Sequence, residues 1–128
     1  KGLPVTVFGD GTQTRCFGHV SDVVRGIVGL IDNSDAIGEV FNIGNDESIS
    51  ITALAELIIE IAGSSSEIEY IPNEQVYDGK FTDLEHRVPD LTKIKQLTGY
   101  EPQVNLRETI QSVVEHYQDQ GSDFDIIE

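Results

Sequence analysis

Phe8-Gly9-Asp10-Gly11-Thr12-Gln13-Thr14-Arg15-Cys16-Phe17-Gly18-His19-Val20-Ser21-Asp22 is the stretch around which the chain is organised. Pro4-Val5-Thr6-Val7-Phe8 leads into it, β-branched and aromatic residues bounded by turn formers, which predicts a strand. Gly9-Asp10-Gly11 is the turn that ends the strand. Cys16 to His19 forms a second short extended segment, and Ser21 then opens a helix as its N-cap, with Asp22 in the first turn where a negative charge suits the helix dipole. Arg15 stands out because the chain has only eight Lys and Arg against 23 Asp and Glu. A guanidinium beside a turn rich in backbone N–H groups can seat an anion, since its planar fork matches phosphate oxygens; the plain alternative is a surface ion pair.

Downstream, Val23, Val24, Ile27, Val28, Leu30 and Ile31 give the helix a broad apolar face, and Asp32-Asn33-Ser34 ends it. Gly38 precedes a predicted strand, Glu39 to Ile43, followed by a polar loop, Gly44 to Glu47. Ser50 caps a second long helix with Leu54, Ala55, Ile58, Ile61 and Ala62 at helical spacing and Gly63 as its stop. Ile68 to Pro72 reads as a further strand, and Asn73 to Glu85 as a long polar loop of the functional or mobile kind. Asp90 caps a short helix that turns Leu91, Ile94 and Leu97 inward and stops at Gly99. Asn105-Leu106-Arg107-Glu108 is a capping box for a last helix with the stripe Ile110, Val113, Val114 and Tyr117. The expectation is an α/β (or α+β-like) domain over residues 1–120, with about four helices and a small sheet of three to four short strands. Residues 121–128 form an acidic tail predicted to be disordered.

Composition excludes several classes. A formal net charge of −15 over 128 residues opposes nonspecific binding to nucleic acid or to anionic membranes, both of which need clustered Lys and Arg. No apolar run approaches the ~20 residues of a membrane span. One cysteine allows no internal disulfide and suits a reducing, cytoplasmic setting. Methionine is absent and the first residue is Lys1, which predicts a piece of a longer protein.

Other motifs fail on inspection. Gly9-Asp10-Gly11-Thr12-Gln13-Thr14 has Thr where a dinucleotide fingerprint needs its last glycine. As a calcium loop, Asp10 to Asp22 has Thr12 and Thr14 in place of carboxylates and Arg15 in place of the glycine. His19, His86 and His116 are too scattered for a metal site and read as ordinary surface or half-buried histidines. Cys16 reads as a small apolar residue without reactivity. Asn42, in an otherwise apolar segment, needs a hydrogen-bond partner, because an unpaired buried amide costs about 1–3 kcal/mol.

The order P-V-T-V-F-G-D-G-T-Q-T-R-C-F-G-H-V-S-D resembles the start of the C-terminal half of the NAD-dependent nucleotide-sugar epimerases, dehydratases and decarboxylases, the extended short-chain dehydrogenases. The resemblance continues through Gly38-Glu39-Val40-Phe41-Asn42-Ile43-Gly44-Asn45, Arg87-Val88-Pro89-Asp90 and Leu97-Thr98-Gly99-Tyr100-Glu101-Pro102, covering roughly residues 3 to 117. It implies the C-terminal portion of an extended Rossmann-type enzyme that recognises a UDP-, dTDP- or GDP-hexose. It implies that Arg15 contacts the substrate diphosphate, that Arg87 is the second diphosphate arginine, and that Asn42 lies beside the nucleotide-sugar cleft. Gln13 is implied to hydrogen-bond the nucleotide and Phe8 to pack near its ribose or base; otherwise these are a solvent-facing turn residue and a core aromatic. Where that family often has several consecutive basic residues, this chain has Glu85-His86-Arg87.

The family's Gly-rich NAD turn and its Tyr-x-x-x-Lys pair do not occur in these 128 residues. No catalytic or metal-binding residue is therefore assigned. The resemblance implies NAD in the full-length parent and none bound here, an inactive piece that partners a missing N-terminal Rossmann half. Apolar faces left uncovered predict self-association. The alternatives are an extended short-chain reductase acting on a non-nucleotide substrate, and a free-standing acidic interaction module.

Overall fold

A computed structural model describes residues 3–76 and 84–119. β1 (Val5–Phe8) pairs in parallel with β4 (Ile68–Ile71), Val5 opposite Ile68 and Phe8 opposite Ile71. Parallel neighbours need a long crossover, and the intervening chain supplies it with β2 (Thr14–Cys16), α1 (Val20–Ile31), β3 (Ser48–Ser50) and α2 (Ile51–Ala62). β2 and β3 form a separate antiparallel pair, Arg15 opposite Ile49. Among the described residues, the four strands thus make two two-stranded sheets rather than one small sheet.

The glycine turn is tied to the start of α2. Gly11 has φ +71°, a left-handed conformation, and a Cβ there would collide with the Thr52 side chain. The Thr52 N–H donates to the Gly11 carbonyl at 3.1 Å, and the Ile51 N–H to that of Gln13 at 3.1 Å. α2 begins and ends where local chemistry predicts. The Ser50 hydroxyl accepts the Ala53 N–H, and Gly63 takes the left-handed conformation past the last turn.

Two expectations need correction. The N-cap of α1 is His19, not Ser21: the helix starts at Val20, and the His19 Nδ1 accepts the Ser21 N–H at 3.2 Å. A Ser21 cap would serve the N–H of residue 23 or 24; the helix starts two residues sooner, and the Ser21 N–H falls within reach of the His19 ring. Glu39 to Ile43 is not a strand, and among the described residues it pairs with none. Phe41 and Ile43 instead pack on the buried cluster of Leu91, Ile94 and Tyr100. Their alternation records which side chains are buried, not a ladder of backbone hydrogen bonds.

After β4 comes a single helical turn, α3 (Asn73–Val76), at the start of the predicted loop; residues 77–83 of that loop and the tail 121–128 lie outside the described residues. α4 (Thr92–Thr98) follows Asp90, whose carboxylate accepts the Thr92 N–H at 2.9 Å, and it stops at Gly99 with φ +69°. α5 (Leu106–Asp119) opens on a reciprocal capping box: the Asn105 N–H donates to Glu108 at 3.1 Å, and the Glu108 N–H to Asn105 at 2.9 Å. α5 packs on α2, and α1 on α4. Ile110 is buried, whereas Val113 and Tyr117 of the same stripe are exposed. No described helix is long and apolar enough to cross a membrane.

Candidate functional site

β2 ends the glycine turn and carries Arg15 to the rim of a cavity of about 300 Å³. Arg87 reaches the same cavity from the segment that precedes α4. Their neighbours there are Cys16, Gly18, Val23, Ile43, Gly44, Asn45 and Pro89, so two guanidiniums line the space and, among the described residues, no carboxylate does. The segment bearing Arg87 is fastened to β2. The Thr14 N–H donates to the Glu85 carbonyl at 2.8 Å, and Thr14 and His86 form a parallel bridge. Arg15 Nη1 donates to the Thr14 carbonyl at 2.7 Å and to the Leu84 carbonyl at 3.0 Å.

The opposite wall is backbone. A Cβ on Gly18 would lie 3.3 Å from the Cα of Gly44, so the two glycines let the chain segments approach closely. The Tyr100 hydroxyl fixes this wall by donating to the Gly44 carbonyl at 2.7 Å, and the buried Asn45 side chain accepts the Glu47 N–H at 2.7 Å. Burial raises the Tyr100 phenol above its ordinary pKa, with the nearby Asp22 charge acting in the same sense, so it stays a neutral donor. Burial, then Asp46, likewise pushes the Cys16 thiol up, which keeps it an unreactive lining group. Two guanidiniums over a rigid wall of backbone and small apolar side chains suit a compact anion attached to a larger group.

Of the five residues expected to bind substrate, Arg15 and Arg87 meet in this cavity, and the other three lie outside its lining. The Gln13 side-chain amide donates to the Phe8 carbonyl at 3.0 Å and closes the turn. Phe8 ends β1 with its ring partly exposed. Asn42 does have the required partner: its amide donates to the Asp90 carbonyl at 3.1 Å, beside the start of α4. Gly18, Gly44 and the Thr14–His86 pair were not singled out from the sequence. Their roles come from contacts between distant segments, which leave no periodic trace. Among the described residues no cluster of His, Cys, Asp or Glu could hold a metal ion.

Comparison with known proteins gives this cavity its context. The family model described as GDP-mannose 4,6 dehydratase matches residues 1–113. The UDP-N-acetyl-alpha-D-glucosaminuronate decarboxylase of Bacillus cytotoxicus is 40% identical over 115 residues, which is 87% of this chain and 36% of that protein. The UDP-glucose 4-epimerase of Thermotoga maritima, solved with UDP-glucose, superposes with a TM-score of 0.81 at 34% identity, covering 93% of this chain and 36% of that one. The UDP-glucuronic acid 4-epimerase of Bacillus cereus, solved with UDP-glucuronic acid and NAD, does so with a TM-score of 0.79 at 30% identity, covering 91% and 36%. The chain spans about a third of the length of these relatives. With its fold, its ordered motifs and this match in agreement, the chain belongs to the GDP-mannose 4,6 dehydratase family, among the nucleotide-sugar epimerases and dehydratases of the extended short-chain dehydrogenases.

Proposed function

We propose that the chain is the substrate-recognising portion of an NAD-dependent enzyme acting on a UDP-linked sugar, and that Arg15 and Arg87 together hold the diphosphate. The carrying observation is that these two guanidiniums, distant in sequence, line one cavity. Two charge-assisted forks on one diphosphate fix both its place and its orientation, which is the positioning contribution to catalysis. The UDP-linked sugars named for the decarboxylase and epimerase relatives support uracil as the base and a hexuronic acid as the sugar class.

NAD, when bound by the whole protein, takes up and returns hydride from the sugar. This chain does not fit it. In the glycine turn, the Asp10 carboxylate accepts the Thr12 N–H at 3.0 Å and its hydroxyl at 2.7 Å, so a pyrophosphate there would meet a negative charge. Those bonds lower the Asp10 pKa, the Thr12 N–H most of all. The 128 residues also lack a Tyr-x-x-x-Lys pair, so the chain alone is expected to turn over no nucleotide sugar. A reductase for neutral substrates is disfavoured because such a ligand gives Arg15 and Arg87 nothing to clamp.

The test is calorimetric or NMR titration of the chain with UDP-glucuronic acid, UDP and uridine. UDP and its sugar are expected to bind and uridine to bind far more weakly. Arg15→Ala or Arg87→Ala should each weaken UDP binding by about tenfold or more, the usual cost of losing a charged hydrogen bond. Equal binding of UDP and uridine would overturn the diphosphate assignment.

A further inference from the structure

We propose that Thr14 and His86 form a side-chain staple that positions Arg87 opposite Arg15, making both positioning residues for the diphosphate clamp. The inference rests on the preceding reading of the cavity. Thr14 Oγ1 and His86 Nδ1 are 2.9 Å apart, and the two residues form an isolated parallel bridge, the shortest possible ladder. Side chains along extended chain alternate between two sides. Here the alternation falls in step on both segments. Thr14 and His86 meet on one side, while Arg15 and Arg87, the next residue of each, line the cavity.

Two further links between the segments use backbone carbonyls, Glu85 O from the Thr14 N–H and Leu84 O from Arg15. They lie on the far side of His86 from Arg87. His86 is the residue next to Arg87, so a bond that holds its side chain bears directly on where Arg87 leaves the segment. The hydroxyl can donate to a bare Nδ1 or accept from a protonated one, so the staple survives either tautomer. An asparagine amide offers a polar atom at a similar reach, whereas alanine offers none.

The test uses UDP as probe, with His86→Ala, Thr14→Val, the double variant and His86→Asn. Each of the first two should weaken UDP binding by about three- to tenfold, the effect of one positioning hydrogen bond. The double variant should be no worse than either single one, and His86→Asn should restore most of the loss. Uridine binding should stay unchanged throughout, which a general loss of structure would not allow. Amide hydrogen exchange gives a readout without ligand: the Thr14 N–H should exchange faster in His86→Ala while α2 amides hold their protection. Additive losses, an unrescued His86→Asn, or unaltered exchange at Thr14 would overturn the staple. If UDP binds and Arg15→Ala weakens it but His86→Ala does not, the staple alone fails. If the unaltered protein does not bind UDP, the clamp and its staple fail together.

Discussion

The two faces of α1 are built differently. The face turned to the rest of the chain is mixed: Asp22 and Gly26 are its buried residues, Gly29 faces Thr98, half-buried Val23 lines the cavity and half-buried Leu30 packs on the core cluster. The outward face carries the large apolar side chains, with Val24 52% and Ile31 77% exposed and Val20 and Val28 alongside. Ordinary amphipathicity would turn most of these large side chains inward. The apolar stripe therefore identifies the helix correctly, but of its six residues only Val23 and Leu30 turn inward, and Val24, Ile27, Val28 and Ile31 are exposed. The inward face is held by specific contacts. Asp22, 1% exposed, receives the Gln103 and Val104 N–H groups at 3.0 and 3.1 Å and pairs with Arg25 at 2.6 Å.

The sharpest way to break this comparison is Asp22→Ala. It strands two backbone N–H donors and leaves Arg25 without its carboxylate, which should cost about 3 kcal/mol or more in urea unfolding. Asp22→Asn keeps one acceptor oxygen and should cost about half as much. The same residue sets a pH dependence. Burial alone would raise its pKa, but the Val104 N–H, Arg25 and the Gln103 N–H outweigh it and hold the carboxyl below its ordinary 3.8. The folded state thus takes up this proton less readily than the unfolded state. Stability from Asp22 is present above about pH 4 and lost as pH falls through the lowered folded value. In Asp22→Asn that part of the acid-limb slope should vanish; an unchanged slope would remove Asp22 from the account.

These contrasts separate what was legible in the sequence from what was not. Ser50, Gly63, Gly99 and the Asn105–Glu108 box act on backbone groups within four residues, and each sits where it was read. The segment 39–43 was misread as a strand because a ladder needs a distant partner, which alternation alone cannot supply. Its polar member was better understood: Asn42 had to find an acceptor, though nothing local pointed to the Asp90 carbonyl. At the cavity, Arg15 could be singled out as a rare cation beside a glycine turn. Arg87 was placed only by resemblance, and the Gly18–Gly44 approach and the Thr14–His86 bond exist only once distant segments meet.

A smaller effect tests the inward face by filling it. A Cβ at Gly26 would stand 2.9 Å from Ile43 Cγ2 and 3.1 Å from Tyr100 Cε2, both in or against the core cluster. Gly26→Ala gains about 1 kcal/mol of helix propensity but overpacks the contact by about 1–3 kcal/mol, so a net loss of about 1 kcal/mol is expected. Gly29→Ala is the control, because its nearest neighbour, Thr98 Cβ, would be at an ordinary 3.5 Å. There the propensity gain should appear almost intact, raising stability by up to about 1 kcal/mol. Equal shifts at the two glycines would show that the close approach at Gly26 is not a constraint.

The outward face should respond least in stability and most in association. Val20, Val24, Val28 and Ile31 recur at helical spacing on one exposed side of α1. Replacing one of them removes few contacts within the chain, so Ile31→Lys should change unfolding free energy by no more than about 0.5 kcal/mol. A cation in the last turn of α1, which has none, even suits the carbonyl end of the helix. Yet a contiguous apolar patch favours burial against a second surface, and the chain is expected to self-associate through this face despite its formal charge of −15. Light scattering should then give a mass that rises with concentration in the unaltered chain and stays monomeric in Val24→Gln/Ile31→Lys. A clean monomer for the unaltered chain across the micromolar range would mean that this apolar stripe, although exposed, is not adhesive by itself.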